Sequence, residues 1–188
     1  MSRCAPAAIV LAVSGLAAAL AAGCAHAPPY VPPVSPEPAA ADAARSAAAF
    51  KTLTGLAGAW EGDMGEGESK MKATVDYRVT SGGSAVEEVL GRGGPYEMVT
   101  MYHLDGGRLL LTHYCAAGNQ PTMVLVPGDS PSDLQFEFLR GTNMAPTDGH
   151  MHQARFELLG GDRVKATWTY WTQGKPGEAA TFDFHRVK

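Results

Sequence analysis

Hydrophobic and polar residues alternate with a period of two along most of the chain from Trp60 onward. Strict alternation of this kind is typical of a β-strand that buries one face. The clearest example spans 70–80, where polar residues separate Met71, Ala73, Val75, Tyr77 and Val79. Clusters of Gly, Pro, Asn and Asp interrupt the alternation at short intervals and indicate tight turns. The pattern therefore predicts about ten β-strands joined by short connections.

The residues before Trp60 follow a different period. Phe50, Leu53 and Leu56 are spaced by three among helix formers, so we predict a short amphipathic helix between residues 40 and 56. No apolar pattern of helical length follows Trp60, which excludes parallel strand–helix–strand units. The predicted fold is therefore all-β. Because a long antiparallel meander must protect its edges, we predict an antiparallel up-and-down β-barrel of about ten strands, with the short N-terminal helix capping one end.

The N-terminal stretch has a composition of its own. Arg3 precedes a run of small and apolar residues that ends at Leu20-Ala21-Ala22-Gly23-Cys24. The run is too short and Ala-rich to predict a membrane-spanning helix, and its layout resembles a bacterial lipoprotein signal peptide. The resemblance implies cleavage before Cys24 and a lipid on the Cys24 thiol, with Ala21 standing where such signals prefer Leu. An ordinary signal cleaved near this point is the alternative, and it would leave a soluble periplasmic protein.

Composition divides the chain into three regions. Residues 1–23 are the predicted lipoprotein signal peptide. Residues 24–41 form an Ala/Pro-rich tether that cannot bury a core, and residues 42–188 have the size of one domain. We therefore expect an exported protein, anchored in a membrane through the lipid on Cys24 and facing the periplasm or the cell exterior.

The charge balance limits the classes of binding partner, and the cysteine count limits the possible disulfides. The sequence has a formal net charge of −4 and lacks basic clusters, which argues against nucleic acid as a partner. Of its three cysteines, Cys4 leaves with the signal and Cys24 takes the lipid, so Cys115 stays alone. No intramolecular disulfide is expected in the mature protein. A lone thiol outside the cytoplasm is expected to be buried or to have a function.

The segment Gly55–Gly62 carries a resemblance to a known group of proteins. Gly58 and Trp60 form a Gly-x-Trp pair at the start of the first predicted strand, directly after the helix. This arrangement resembles the calycins, namely lipocalins, fatty-acid-binding proteins and nitrobindin-like barrels, over residues 50–188. The resemblance implies a small, largely apolar ligand inside the barrel. Haem is the possible cofactor, because one branch binds it through a proximal histidine; no histidine here matches that position in a motif.

The predicted hairpin of residues 97–115 is the densest candidate site. With a three-residue loop at Asp105-Gly106-Gly107, Met101 pairs with Leu111 and Val99 with His113. The more apolar face then carries His113 and Cys115 into the interior, where they would ligate a metal or haem, or hydrogen-bond to a ligand. The alternative is a core histidine with a protein partner beside a cysteine that packs as a small hydrophobic residue.

Four further features complete the predicted ligand-binding set. One of the adjacent acids Glu87 and Glu88 must point inward, and an inward Glu88 needs a partner, either a ligand or an interior Arg. The remaining candidates are a tyrosine of the hairpin, two amides in the loop after Cys115 and two aromatic residues of a late strand: Tyr102, Asn119, Gln120, Trp168 and Tyr170. The alternatives are that the amides only stabilise a turn and that the aromatic residues only pack in the core.

His150 and His152 form a second type of candidate site. At positions i and i+2 of a strand they project from one face, which suits zinc or copper if His113 and Cys115 supply further ligands. The sequence lacks the usual spaced ligand sets, so we predict no metal site, and a solvated strand start is the alternative.

The sequence contains no catalytic motif that would name a reaction. Gly82-Gly83-Ser84-Ala85 does not match the nucleophile elbow, and the Gly-rich segment 62–67 does not continue as a phosphate-binding loop. The resulting hypothesis is an envelope lipoprotein whose barrel binds a small, largely apolar ligand, with a non-enzymatic role favoured over catalysis. Two alternatives stay open: an interaction or structural module of the envelope with a filled core, and an enzyme that uses His113, Cys115 and Glu88.

Overall fold

A computed structural model describes residues 40–65, 67, 70–128, 130–160 and 162–188. The predicted signal peptide, nearly all of the predicted tether and the lipidation site Cys24 lie outside the described residues. Within the described ranges, no helix has the length and the apolar character needed to cross a bilayer.

The described part of the chain contains one α-helix followed by ten β-strands. The bounds are α1 Ala40–Thr54, β1 Gly58–Met64, β2 Met71–Thr80, β3 Ala85–Leu90, β4 Met98–Asp105, β5 Arg108–Tyr114, β6 Gln120–Leu125, β7 Asp133–Thr142, β8 His150–Gly160, β9 Arg163–Thr172 and β10 Lys175–Arg186. A 3₁₀ turn, Ser81–Gly83, joins β2 to β3.

The ten strands form a closed antiparallel barrel, which confirms the predicted fold class. Each strand pairs with its neighbours in the sequence, and β1 closes the barrel by pairing with β10 as well as with β2. Closure leaves no free edge, so every strand has two hydrogen-bonded partners. We call the end next to α1 the lower end. The opposite, upper end carries the β3–β4, β5–β6 and β7–β8 connections.

The helix α1 caps the lower end, as predicted. Its Leu53 is fully buried and packs into the same core as Trp60 at the start of β1. The Trp60 indole Nε1 donates a hydrogen bond of 2.8 Å to the Leu56 carbonyl. Arg186 of β10 lies 4.3 Å above the Trp60 ring and donates to the Gly55 and Ala57 carbonyls. These contacts satisfy the carbonyls of the segment between α1 and β1.

The β4–β5 connection differs from the prediction by one residue. Asp105 pairs with Arg108, so the loop has two residues, Gly106 and Gly107, with φ of 54° and 82°. Two successive positive φ angles are typical of the type I′ turn, which glycine adopts without steric cost. The three-residue loop was therefore the wrong prediction, and the cross-strand register shifts accordingly.

The shifted register changes which residues of β4 face the interior. His113 lies opposite Thr100 instead of Val99, and Leu111 lies opposite Tyr102 instead of Met101. Thr100 and Tyr102 are buried, whereas Met101 belongs to the opposite face. The predicted inward position of Met101 was wrong, because a slip of one residue exchanges the two faces of a strand.

The middle of the barrel is filled by side chains. Tyr102, Phe136 and Phe156 have at most 1% of their area exposed, and their rings meet edge to face with centroids 6.0–6.1 Å apart. A water-sized void would leave exposed area on its walls, so these rings leave no such void between them. The sequence predicted space that the inward side chains could not occupy. Large aromatic rings from several strands occupy it instead.

Candidate functional site

Four polar side chains form a row across the inner wall of the barrel. Tyr77 pairs with Glu88, Glu88 pairs with Thr100, and Thr100 pairs with His113, on the consecutive strands β2 to β5. All four are at least 95% buried. Glu88 and His113 therefore point inward, as the alternation predicted, while their contribution to ligand binding stays a prediction.

The carboxyl group of Glu88 is held by two tyrosines. The Tyr102 hydroxyl donates a hydrogen bond of 2.5 Å to Glu88 Oε2, and the Tyr77 hydroxyl is a second partner. Burial raises the pKa of Glu88 to about 7, although both hydroxyls favour the carboxylate. Burial also raises the pKa of each tyrosine, with the Glu88 charge adding to the effect. The partners of this interior acid are thus phenolic hydroxyls and not an interior Arg.

His113 has the environment of a core histidine. Its Nδ1 lies 3.0 Å from the Thr100 hydroxyl, and its ring lies 4.7 Å from the Trp168 ring. Burial lowers the pKa of His113 to about 4, so the imidazole is neutral at physiological pH. Its Nε2 is buried and has no hydrogen-bond partner in the described part of the chain. Cys115 follows the end of β5 and is half-buried.

The remaining predicted site residues lie at different levels of the barrel. Trp168 belongs to the filled middle, where its ring also contacts Phe156. Asn119 is buried in the β5–β6 connection, and its Nδ2 donates to the Gly149 carbonyl at 2.8 Å. The Gln120 side chain donates a hydrogen bond to the Gly118 carbonyl and accepts one from the Thr142 hydroxyl on β7. Tyr170 lines a depression of about 380 Å³ near the end of β1. The structure brings Glu88, Tyr102, His113 and Trp168 together in the packed interior. It places Asn119, Gln120 and Tyr170 elsewhere.

A separate pocket of about 320 Å³ lies at the upper end, beside the β7–β8 connection. We call it the upper pocket. Its walls come from the ends of β7, β8 and β9 and from the loop between β7 and β8, and they are mostly aromatic or aliphatic. The lining residues are Phe138, Arg140, Gly141, Met144, Ala145, Pro146, His150, His152, Trp171 and Gly174.

Two histidines and two aromatic rings make a stack in this pocket. The His152 ring lies parallel to the Trp171 ring, with centroids 3.9 Å apart and planes 13° apart. Phe138 stacks on His152 at 4.9 Å and 16°. His150 packs beside both Phe138 and His152, at centroid distances of 4.7 and 5.1 Å. Burial and the neighbouring His150 lower the pKa of His152, which favours its neutral form.

A β-bulge places His152 in this stack. Met151 pairs with Tyr170 and Gln153 pairs with Thr169, so His152 is an extra residue without a partner on β9. Further register shifts occur in the β6–β7 and β9–β10 pairs. Bulges redirect side chains and concentrate near binding and active sites. The bulge in β8 supplies His152 to the upper pocket, and the shift in the β6–β7 pair lies between Phe138 and Arg140, which also line the pocket.

Sequence reasoning found only part of the upper pocket. It identified His150 and His152 as possible zinc or copper ligands. In the structure the two rings hydrogen-bond to each other, with His150 Nε2 and His152 Nδ1 2.9 Å apart. Among the described residues, no three His, Cys, Asp or Glu side chains are grouped closely enough to hold a metal ion. The contribution of Phe138, Met144 and Trp171 was missed, because strand alternation does not reveal a bulge.

Comparison with known proteins supports the fold. No protein-family model matches the chain, and no curated protein matches it. Among solved structures, the chain is similar to the crystal structure of Rv2717c from M. tuberculosis, with a TM-score of 0.52 and 16% sequence identity. The match covers 74% of this chain and 98% of that chain. At this identity the similarity shows the fold alone, and it is consistent with a calycin-like barrel.

Proposed function

We propose that this protein binds a small, largely apolar molecule in the upper pocket. The observation that carries the proposal is a pocket of about 320 Å³ whose walls are mainly aromatic rings, Met and Pro. Ligand sites of proteins are typically apolar concavities of about 300–1,000 Å³ that contain a few polar groups. The upper pocket has these properties, with its two histidines and Arg140 as the polar groups.

The proposed site is at the end of the barrel and not in its centre. The middle is closed by Tyr102, Phe136 and Phe156, so a ligand there would have to displace aromatic rings. The depression beside Tyr170 has a similar volume, but small residues and backbone of β10 form much of its wall. Flat aromatic walls bury more apolar area against a ligand, which favours the upper pocket.

The filled middle supports a second candidate function. A barrel whose interior is packed needs no ligand for its stability, so it suits a structural or protein-interaction module of the cell envelope. In that case the upper pocket would be a surface depression without a small-molecule ligand. A binding measurement separates the two candidates.

The test uses 2-methoxynaphthalene, a flat and largely apolar probe, in isothermal titration calorimetry. We expect saturable binding to the wild-type protein and about tenfold weaker binding to Trp171→Ala, because one wall of the pocket is lost. Ala145→Phe, which fills the pocket from an exposed position, is expected to weaken binding without loss of stability. Tyr96→Ala is the control, since Tyr96 is 76% exposed and does not line the pocket. No binding to the wild-type protein, or equal binding to all variants, would contradict the proposal.

We also propose that the protein is exported and held at a membrane by a lipid on Cys24. The support is the layout of residues 1–24, in which Arg3 and an apolar run precede Gly23-Cys24. Mass spectrometry of the mature N-terminal peptide tests this proposal. A lipid-modified Cys24 is the expected result, and an unmodified N-terminus at another residue would contradict it.

A further inference from the structure

We propose that the upper pocket selects phenols, that is, flat aromatic molecules with a hydroxyl group that donates a hydrogen bond to Nε2 of His152. This inference rests on the proposed function and names the class of ligand for the same pocket. It depends on the hydrogen bonds that fix the protonation state of each ring nitrogen.

The chain of hydrogen bonds starts at a backbone carbonyl. His150 Nδ1 lies 2.8 Å from the Asp148 carbonyl oxygen, which can only accept, so Nδ1 of His150 carries a hydrogen. With His150 neutral, its Nε2 is an acceptor, and His152 Nδ1 must donate to it across 2.9 Å. A neutral His152 then has an unprotonated Nε2. The backbone thus specifies a hydrogen-bond acceptor on the edge of His152 that faces away from His150.

This acceptor has no partner among the described residues, although its ring lines the pocket. The ring is held between Phe138 and Trp171, so its orientation is fixed before a ligand arrives. A purely apolar ligand would cover Nε2 and leave it unpaired, at a cost of about 1–3 kcal/mol. A ligand that brings an O–H group avoids this cost, while its aromatic ring fills the apolar part of the pocket.

The charged groups around His152 are consistent with a ligand that is uncharged and that donates a hydrogen bond. The Asp148 carboxylate accepts the Ala145 N–H, and the Glu137 carboxylate accepts two hydrogen bonds from the Gln153 side chain. Each carboxylate therefore already accepts hydrogen bonds from the protein, and the charge of Glu137 only partly offsets the lowering of the His152 pKa. Arg140 lines the pocket and has no ionic partner in the described ranges, which disfavours a cationic ligand. An aromatic carboxylate could approach Arg140 but would bring no proton to His152 at neutral pH.

The experiment compares two probes of nearly the same shape, 2-naphthol and 2-methoxynaphthalene, by calorimetry at pH 7.5. We expect 2-naphthol to bind the wild-type protein about tenfold more tightly, because the methyl ether cannot donate. His152→Phe keeps a flat ring between Phe138 and Trp171 but removes the acceptor. In this variant the two probes should bind equally, and 2-methoxynaphthalene should bind more tightly than it does to the wild-type protein, because it no longer covers an unpaired Nε2.

Acid pH provides a second test. A proton added to the histidine pair resides on Nε2 of His152 and converts the acceptor into a donor, so the preference for 2-naphthol should disappear. Equal binding of both probes to the wild-type protein at pH 7.5 would overturn this inference and leave the proposed function standing. Failure of both probes to bind would overturn both. Tighter binding of 2-naphthoate than of 2-naphthol at pH 7.5 would also overturn it, in favour of recognition by Arg140.

Discussion

Replacement of Glu88 by Gln is expected to raise the free energy of unfolding at pH 8 by about 3 kcal/mol. In the folded protein, burial raises the pKa of Glu88 to about 7, compared with an ordinary value of 4.5. As the pH rises through this interval, the unfolded chain loses the proton first and stability falls. The loss is complete above about pH 7. Gln is neutral at every pH and keeps a polar group between Tyr77 and Tyr102, so it removes the loss.

His113 provides the opposite pH dependence. Burial lowers its pKa from 6.5 to about 4, so the unfolded chain gains a proton first as the pH falls. Stability is therefore lost between about pH 6.5 and pH 4, again by about 3 kcal/mol. In the wild-type protein, the stability that His113 restores as the pH rises is largely cancelled by the stability that Glu88 removes over the same range. The two interior groups together predict a flat stability profile between about pH 4.5 and 6.5.

Urea unfolding of three proteins between pH 4 and pH 8 measures both effects. Glu88→Gln should gain stability from pH 4 to pH 6.5 and then stay constant. His113→Phe, which keeps a ring against Trp168, should lose stability from pH 4.5 to pH 7. Parallel profiles for all three proteins would contradict the interior placement of these groups. So would a lower stability of Glu88→Gln at pH 8.

Phe156→Ala should lower the free energy of unfolding by about 4 kcal/mol, the typical cost of deleting a buried aromatic ring. Phe156 is fully buried and meets Tyr102, Phe136 and Trp168 at centroid distances of 6.0, 6.1 and 5.8 Å. Its removal leaves a cavity in the middle of the barrel, because closed strands cannot collapse onto the space.

Leu159→Ala is the matched control for this substitution, since Leu159 lies on the same strand and is 52% exposed. It should change stability by less than about 0.5 kcal/mol. The same urea titrations at pH 7 measure both variants. If Phe156→Ala were as mild as Leu159→Ala, the middle of the barrel would not be packed as described.

The architecture was predictable because it depends on periodic burial. The alternation in β2, which buries Val75 and Tyr77, and the spacing of Leu53 and Leu56 in the helix segment each follow from one repeated pattern. Glycine clusters marked the turns. These local signals add up to a closed meander, since each short connection forces neighbouring strands to pair.

The upper pocket was not predictable, because it depends on departures from the pattern. His152 enters the stack as the extra residue of a bulge, and alternation places bulged residues on the wrong face. The packing of side chains in the middle of the barrel was also not predicted. Inward positions were identifiable strand by strand, but whether Phe136, Phe156 and Tyr102 meet in the middle depends on their relative heights across several strands.

The three tryptophans of the chain provide the most direct test of where a ligand binds. Trp60 lies at the lower end, Trp168 in the filled middle and Trp171 in the upper pocket. Each indole N–H gives its own signal in a nitrogen–proton correlation spectrum of the ¹⁵N-labelled protein. On titration with 2-methoxynaphthalene, we predict that the Trp171 signal shifts while the Trp60 and Trp168 signals stay in place. A shift of the Trp168 signal with Trp171 unchanged would place the ligand in the middle of the barrel and contradict this account.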